Sequence, residues 1–427
     1  MYCSPFKVGN KIENTESGSK LDPALVRAQF PIFNNNPDLI YFDNASTSQK
    51  PASVIEVIDR YHTKQCANAG RGAYSWSTQL DKAISESREK VAAFIGARAE
   101  DTAFTSGATD SLNTVALAWG LTNLEDGDEI MLCPRDHKSA VLPWYNLKDL
   151  LARQGKTITI QTFDIHEVGD YDLKSIKAKL SPRTRLLAMA HIHHVFGLDM
   201  EVPEIRQIVG DRVLISLDAS QSIGHIPVDV SKLDVDFLSF SGHKVFATTG
   251  SGVLWVNPRV KEKLHAVKLG GKSEASIKER GELIFEHKST AELLEAGTQN
   301  IPAILSLGQA VQFVESVGLA TIQSHISNLT VYLYSKLREL PGIIFAPGMG
   351  ICRCEAGFGI ISFRFEQISN LDLSFVLDAE NIFVRSGDHC TYARDQSEEY
   401  LRVSMHLYNS AEEVDQFIAV LEEAAGL

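Results

Sequence analysis

The sequence predicts an α/β protein, with a large domain built on a mainly parallel sheet and a smaller C-terminal α/β domain. Three observations carry that expectation. Short apolar runs alternate with helical stretches over residues 129–256, the rhythm of parallel strands covered on both faces. The chain has 427 residues, more than one compact core readily holds. From residue 301 the pattern changes to a long helical stretch, two further strands and two more helices.

The elements follow in order. Residues 1–20 are polar and read as a flexible N-terminal tail. Residues 21–300 read as the large domain, whose first part is free to pack on the smaller one, and 301–427 as the small domain. Apolar residues at helical spacing (Val54, Ile55, Val57, Ile58 and Tyr61) predict a helix over 51–65, and Leu80, Ile84, Val91, Phe94 and Ile95 predict another over 77–95. Strands are expected at 129–133, 157–163, 186–191, 213–217, 237–241 and 252–256, with a short one ending before Thr105. Residues 272–289 are charged and weakly periodic, so they read as a surface connection. A helical stretch over 304–340 then precedes strands near 342–345 and 359–365.

Bulk properties exclude several classes. Hydrophobic residues make up 44% and charged residues 22%, the balance of an ordinary soluble enzyme. The formal net charge of -13 argues against nucleic acid or an anionic membrane surface as a partner, because both need clustered positive charge. No apolar run reaches the length of a membrane span, and a cytoplasmic location is expected. The six cysteines, Cys3, Cys66, Cys133, Cys352, Cys354 and Cys390, show no Cys-x-x-Cys pairing and no zinc pattern, so no metal is expected.

The chemistry gathers at strand ends. Ser241-Gly242-His243-Lys244 follows the apolar run 237–240. Burying an ammonium there costs several kcal/mol unless it is paired or neutralised, and a Schiff base with an aldehyde removes the charge. Asp218 ends the 213–217 strand, where a carboxylate can pair with a protonated pyridine nitrogen. Thr105-Ser106-Gly107-Ala108-Thr109-Asp110 lies between a short strand and a helix expected from about Ser111, a place that suits a phosphate. Each feature alone has an ordinary reading: a lysine that snorkels to solvent, an aspartate capping the next turn, a plain helix cap. Together they place phosphate, pyridine nitrogen and imine along one sheet edge, as pyridoxal 5'-phosphate (PLP) requires.

With those residues in view, the chain resembles the class V aminotransferase fold of the cysteine desulfurase family, specifically its SufS-like group, from about residue 21 to the end. Tyr41-Phe42-Asp43-Asn44-Ala45, Asp136-His137-Lys138, Ser241-Gly242-His243-Lys244, Glu295-Ala296-Gly297-Thr298, Arg385-Ser386-Gly387-Asp388-His389-Cys390 and Leu401-Arg402-Val403-Ser404 match its motifs in the right order. The resemblance implies a fold-type-I PLP-dependent transferase with a seven-stranded sheet, acting as a homodimer. It implies that Lys244 holds the cofactor and later moves protons, that Asp218 pairs with the ring nitrogen, and that Gln221 approaches the phenolic oxygen. His137 would stack on the ring. Ala108, Thr109, Ser241 and His243 would hold the phosphate, with Thr298 from the partner chain. Arg402 would fork onto the substrate carboxylate, with Asn44 and Arg385 also on the substrate side. Cys390 would take the sulfur of L-cysteine as a persulfide, leaving alanine, and pass it to an acceptor protein. Arg385 and His389 would favour its thiolate.

Three positions depart from the family pattern. His194 stands where an Asn bonds the phenolic oxygen, Tyr74 where a His stands in the entrance segment, and the loop from Thr391 to Glu399 is short and charged. All border the substrate. A C–S lyase on cysteine conjugates, cystine or selenocysteine, or another class V enzyme of a specialised pathway, is therefore the alternative on the same scaffold.

Overall fold

The structure, a computed structural model, describes residues 21–426 except 71, 167, 272, 274, 278–280, 282, 286–288, 349–356 and 394–398. The polar tail, Cys3, Cys352, Cys354 and the middle of the charged loop lie outside the described residues. In chain order the strands are β1 (Ile40–Tyr41), β2 (Thr102–Thr105), β3 (Glu129–Leu132), β4 (Thr159–Thr162), β5 (Thr184–Ala190), β6 (Leu214–Asp218), β7 (Phe237–Ser241) and β8 (Gly252–Val256). They continue with β9 (Ala275–Ile277), β10 (Leu283–Phe285), β11 (Ile343–Phe345), β12 (Ile360–Phe365), β13 (Ile382–Phe383), β14 (Arg385–Gly387) and β15 (Tyr400–Ser404).

The main sheet has seven strands in the order β2-β8-β7-β6-β5-β3-β4. From β4 to β7 the pairs are parallel; β8 runs antiparallel to both β7 and β2. Strands β7 and β8 are buried throughout, because helices cover both faces and leave no wet side. Register then fixes the site. Ala190 pairs with Asp218, Asp218 with Ser239, and Gly252 with both Ser241 and Thr105. The residues that carry chemistry therefore share one edge of the sheet.

The smaller sheet, β11-β12-β15-β14, is antiparallel. The helices Asn370–Ala379 and Ala411–Ala425 flank it, and β1 pairs in parallel with β13. Ile40 and Phe42 are buried in this sheet's core, and Arg27 reaches Glu413 at 2.6 Å, so the N-terminal segment packs on the small domain.

The structure differs from expectation in four places. The single helical stretch over 304–340 is two helices, Ile301–Val317 and Leu319–Leu337, bent by 76°. Gly318 sits between them at φ 90°, a conformation that ends a helix readily only as glycine. The smaller domain was expected from residue 301, but Ile304, Leu307, Val311 and Val314 share the large core, and so do Ile322 and Ile326. The cores change hands inside the second helix, where Leu329, Leu333 and Leu337 face the small sheet. The surface connection at 272–289 contains an antiparallel hairpin, β9 with β10. Finally, β14 and β15 carry no signal in the sequence: β14 is three half-buried residues at an edge, and Arg402 interrupts the apolar run of β15. Among the described residues no single helix is long and apolar enough to cross a membrane.

Candidate active site

A cavity of about 170 Å³ opens at the edge where β5, β6 and β7 end. Its walls include Ala108, Thr109, His137, His194, Asp218, Gln221, Ser241, His243, Lys244, Arg385 and Arg402, which the sequence singled out. They also include Ser46, Ser139 and Ser220, which it did not, and Asp136, which it named only as part of a motif.

The helix Ala108–Val115 starts three residues earlier than expected, directly after Gly107. A Cβ on Gly252 would lie 2.4 Å from the Gly107 Cα, so glycine at 252 lets the loop rest on β8. This seating brings the Ala108 amide to Ser241 Oγ at 2.8 Å and closes the loop onto the end of β7. Nearby, Thr109 Oγ1 and Ser139 Oγ are 2.7 Å apart.

Lys244 follows β7 on a single helical turn and is half-buried at the cavity wall. Burial pushes its ammonium down to about 8, and the charge of Asp218 opposes that shift. Asp218, the last residue of β6, accepts from the Ser220 amide at 3.0 Å. Gln221 donates through Nε2 to the Ala45 carbonyl at 2.9 Å, which ties this turn to the N-terminal segment. His243 is pushed down to about 4 by burial and by Lys244, so its ring is neutral at pH 7.

His137 caps the helix Lys138–Arg153, taking the Ser139 amide on Nδ1 at 3.2 Å. Burial, with Lys244 nearby, pushes it down to about 4. Behind it stands a buried acid. Tyr171 donates to both oxygens of Asp136 at 2.8 Å, and burial raises Asp136 to about 8, so this carboxyl is largely protonated at pH 7. His193 donates through Nε2 to the Arg135 carbonyl at 3.2 Å while its Nδ1 accepts two backbone amides, which fixes one neutral tautomer.

The opposite wall comes from the small domain. Arg385 on β14 and Arg402 on β15 are register partners, and both donate to Ser46 Oγ, at 2.9 and 3.0 Å. Arg402 is 2% exposed; it reaches Asp43 at 3.2 Å and the His194 carbonyl at 2.9 Å. Arg385 also donates to Cys390 Sγ at 3.3 Å. Two guanidiniums facing one cavity, one of them paired with Asp43, suit an anionic ligand.

Cys390 sits on a turn in which His389 and Cys390 both hold left-handed backbone, at φ 48° and 62°. Such a conformation is costly for a side-chain-bearing residue and needs support. Asp388 supplies it by accepting the Cys390 amide at 3.0 Å, and Lys138 by donating its amide to the Cys390 carbonyl at 2.8 Å. Tyr392 and Ala393 donate onward to the Asp136 and Pro134 carbonyls, so the turn is laced to the segment that carries His137.

Several sequence assignments change. Asn44 is buried with its amide spent on Tyr41, Ser404 and Asn409 and its oxygen on Tyr408, so it braces the N-terminal segment and does not reach the cavity. Tyr74 is half-exposed and stands outside the cavity. His389 donates to the Tyr400 carbonyl at 3.0 Å, and burial pushes it down to about 3, so it is neutral and the positive charge beside Cys390 is that of Arg385. His194 Nε2 lies 3.2 Å from Thr391 Oγ1, next to Cys390. Thr298 lies in a second cavity of about 320 Å³, with Lys268, Asp110 and Asn300.

Residues 40–417 match the family described as Aminotransferase class-V. A probable cysteine desulfurase of Synechocystis sp. is 34% identical over 413 residues, covering 93% of this chain and 94% of its own. An apo cysteine desulfurase from Thermococcus onnurineus NA1 superposes with a TM-score of 0.87 at 32% identity, covering 96% of this chain and all 100% of its own. A lysine-to-alanine variant with glycine linked covalently to its PLP cofactor shares the fold, at a TM-score of 0.77 and 22% identity, covering 92% of this chain and 98% of its own.

Proposed function

The chain belongs to the aminotransferase class-V family and to its cysteine desulfurases, and on that premise we propose that it converts L-cysteine to L-alanine by moving the sulfur onto Cys390. The cofactor is pyridoxal phosphate. The cavity fits it: Lys244 is an amine in its wall, Asp218 an acid for the ring nitrogen, and the start of the helix Ala108–Val115 a seat for the phosphate. His243 Nδ1 and Ser220 Oγ are buried with no hydrogen-bond partner among the described residues, which leaves them for a guest. When bound, the cofactor supplies an electron sink that loosens the bonds around the amino acid's Cα and Cβ.

The chain's own groups supply the rest. Arg402 and Arg385 grip the carboxylate, and a bidentate fork orients it as a lysine would not. Lys244, neutral more easily than an exposed lysine, accepts and returns a proton at Cα. His137 is neutral at pH 7 and covers the ring site, a second place to hold a proton. Cys390 attacks the substrate sulfur. The Cβ–S bond breaks and an S–S bond forms; the electron pair stays with carbon, which takes a proton to give alanine. The sulfur leaves as a persulfide, so no outside oxidant or reductant is needed. An acceptor protein or a thiol then removes it.

The observation that carries this reading is the Arg385–Cys390 contact at 3.3 Å on a turn bound to the His137 segment. A plain β-elimination lyase would have no use for a sulfur held there. A homodimer completes the site, with Thr298 of one protomer reaching the neighbour's phosphate; what supports it is that Thr298 lies outside its own chain's cavity. The test is product analysis with L-cysteine. Wild type should release alanine and carry a persulfide on Cys390, and Cys390→Ala should make no alanine. Pyruvate from both proteins, without alanine or persulfide, would replace the desulfurase reading by the C–S lyase.

A further inference from the structure

His194 belongs to the large domain yet makes its bonds to the small one. It follows β5 in a turn closed by the Gly197 amide on the His193 carbonyl, and this turn is seated on β12. The Val195 carbonyl accepts from Ser362 at 2.6 Å, and a Cβ at Gly197 (φ 60°) would meet the Ile360 carbonyl at 2.5 Å. The His194 carbonyl takes Arg402 Nη1 at 2.9 Å, and its imidazole reaches Thr391 Oγ1 at 3.2 Å. The ring also stands edge-on to His137, with centroids 5.3 Å apart. One residue thus touches the carboxylate-binding arginine, the ring-covering histidine and the turn that carries the reactive sulfur.

The turn needs such a tie. Its two left-handed residues have no glycine to relieve them, and its main chain is fixed by the Lys138 amide on the Cys390 carbonyl and by the Tyr392 and Ala393 amides on the Asp136 and Pro134 carbonyls. The Thr391 hydroxyl is a side-chain hold on the same turn, and its partner is a cavity wall. Burial keeps the His194 ring well below its ordinary value, in the neutral form that can share one hydrogen with a hydroxyl.

We propose that His194 is a positioning residue for Cys390: its bond to Thr391 holds the cysteine turn against the cofactor cavity, so that the sulfur acceptor and the substrate-binding arginine keep a fixed relation. The proposal rests on the desulfurase reading above. In this chain the imidazole lines the cavity and reaches the turn through its Nε2.

Single-turnover persulfide formation on Cys390, followed by mass spectrometry of the PLP-loaded enzyme, tests it together with peptide-level amide exchange over 388–393. Thr391→Val, which keeps the shape and removes the hydroxyl, should slow sulfur transfer about five- to tenfold, the effect of one buried hydrogen bond. KM for cysteine and the cofactor absorption band should stay unchanged. His194→Asn, too short to reach Thr391, should match it, and the double variant should be no slower than either single. Thr391→Ser and His194→Gln should restore much of the rate. Exchange over 388–393 should rise severalfold in the two slow variants only. Wild-type sulfur transfer in Thr391→Val would overturn the proposal, as would full additivity in the double variant. A shifted absorption band in His194→Asn with a normal Thr391→Val would assign the imidazole to the cofactor and overturn it too. A wild type that forms no persulfide would sink the desulfurase reading instead, while amide exchange would still score the tie.

Discussion

Lys244, Asp218 and Ser241 stand at the ends of central strands, whereas Cys390 stands on a left-handed turn after a three-residue edge strand. The first region is rigid by construction. Strands β6 and β7 are paired on both sides, and their register alone brings the aspartate and the lysine-bearing turn to one edge. The second region has little of its own to hold it. Its geometry comes from Asp388, from the backbone of residues 134–138 and from His194, which lie far apart in sequence. The difference teaches that the cofactor is bound by a scaffold and the sulfur acceptor by tethers, and the tethers are the more easily broken.

The largest effect should come from the scaffold end. Lys244→Ala should abolish turnover and covalent attachment, and borohydride reduction of wild type should place the pyridoxyl group on Lys244 by peptide mapping. Label on another lysine would remove the assignment of this edge. Arg402→Ala should weaken cysteine binding by about 1.5–3 kcal/mol, roughly ten- to a hundredfold, while PLP binding changes little. An unchanged spectral titration with cysteine would mean that the carboxylate is held elsewhere.

Arg385→Gln probes the tether end. It removes the charge 3.3 Å from Cys390 Sγ and should slow both sulfur transfer and iodoacetamide labelling of Cys390 by about tenfold. Equal labelling rates in variant and wild type would show that the guanidinium serves the carboxylate alone.

The smallest effect is a pH dependence of stability. Burial pushes His193 and His389 down to about 3 and His225 to about 4. The unfolded chain takes a proton at each below about pH 6.5, and the folded chain does not until far lower. Stability is therefore lost as pH falls from about 6.5 toward 4, by up to about 1.4 kcal/mol per pH unit for each histidine. Asp136, raised to about 8, works the other way and offsets one proton of that difference. Urea unfolding at pH 7, 6 and 5 reads the slope, and His225→Asn should flatten it by one proton. A flat profile would contradict the buried, neutral state of these rings.

Much of the cofactor edge was legible in the sequence because period and punctuation report local physics. The strands β7 and β8 fall at the residues expected, and Lys244 and Asp218 follow apolar runs that only a strand buried on both faces explains. The helix after Gly107 was expected late, since Ala108 and Thr109 read as loop residues until Gly252 shows how closely the backbones approach. The misplaced roles have a common cause. Asn44 and His389 are polar residues within motifs, and a motif cannot say which carbonyl or hydroxyl a polar atom will bond; here Tyr408, Ser404 and Tyr400 had already claimed them.

By itself the sequence determined the fold class, the parallel sheet and the amine and acid at its edge, because hydrophobic periodicity and the cost of a buried charge act over a few residues. Only the tertiary structure decided which charges meet Cys390, that His389 is neutral, and that His194 faces Thr391. The first two depend on how the 385–400 segment folds back on itself through a left-handed turn, and the third joins residues some two hundred positions apart; neither kind of contact leaves a periodic trace in the chain.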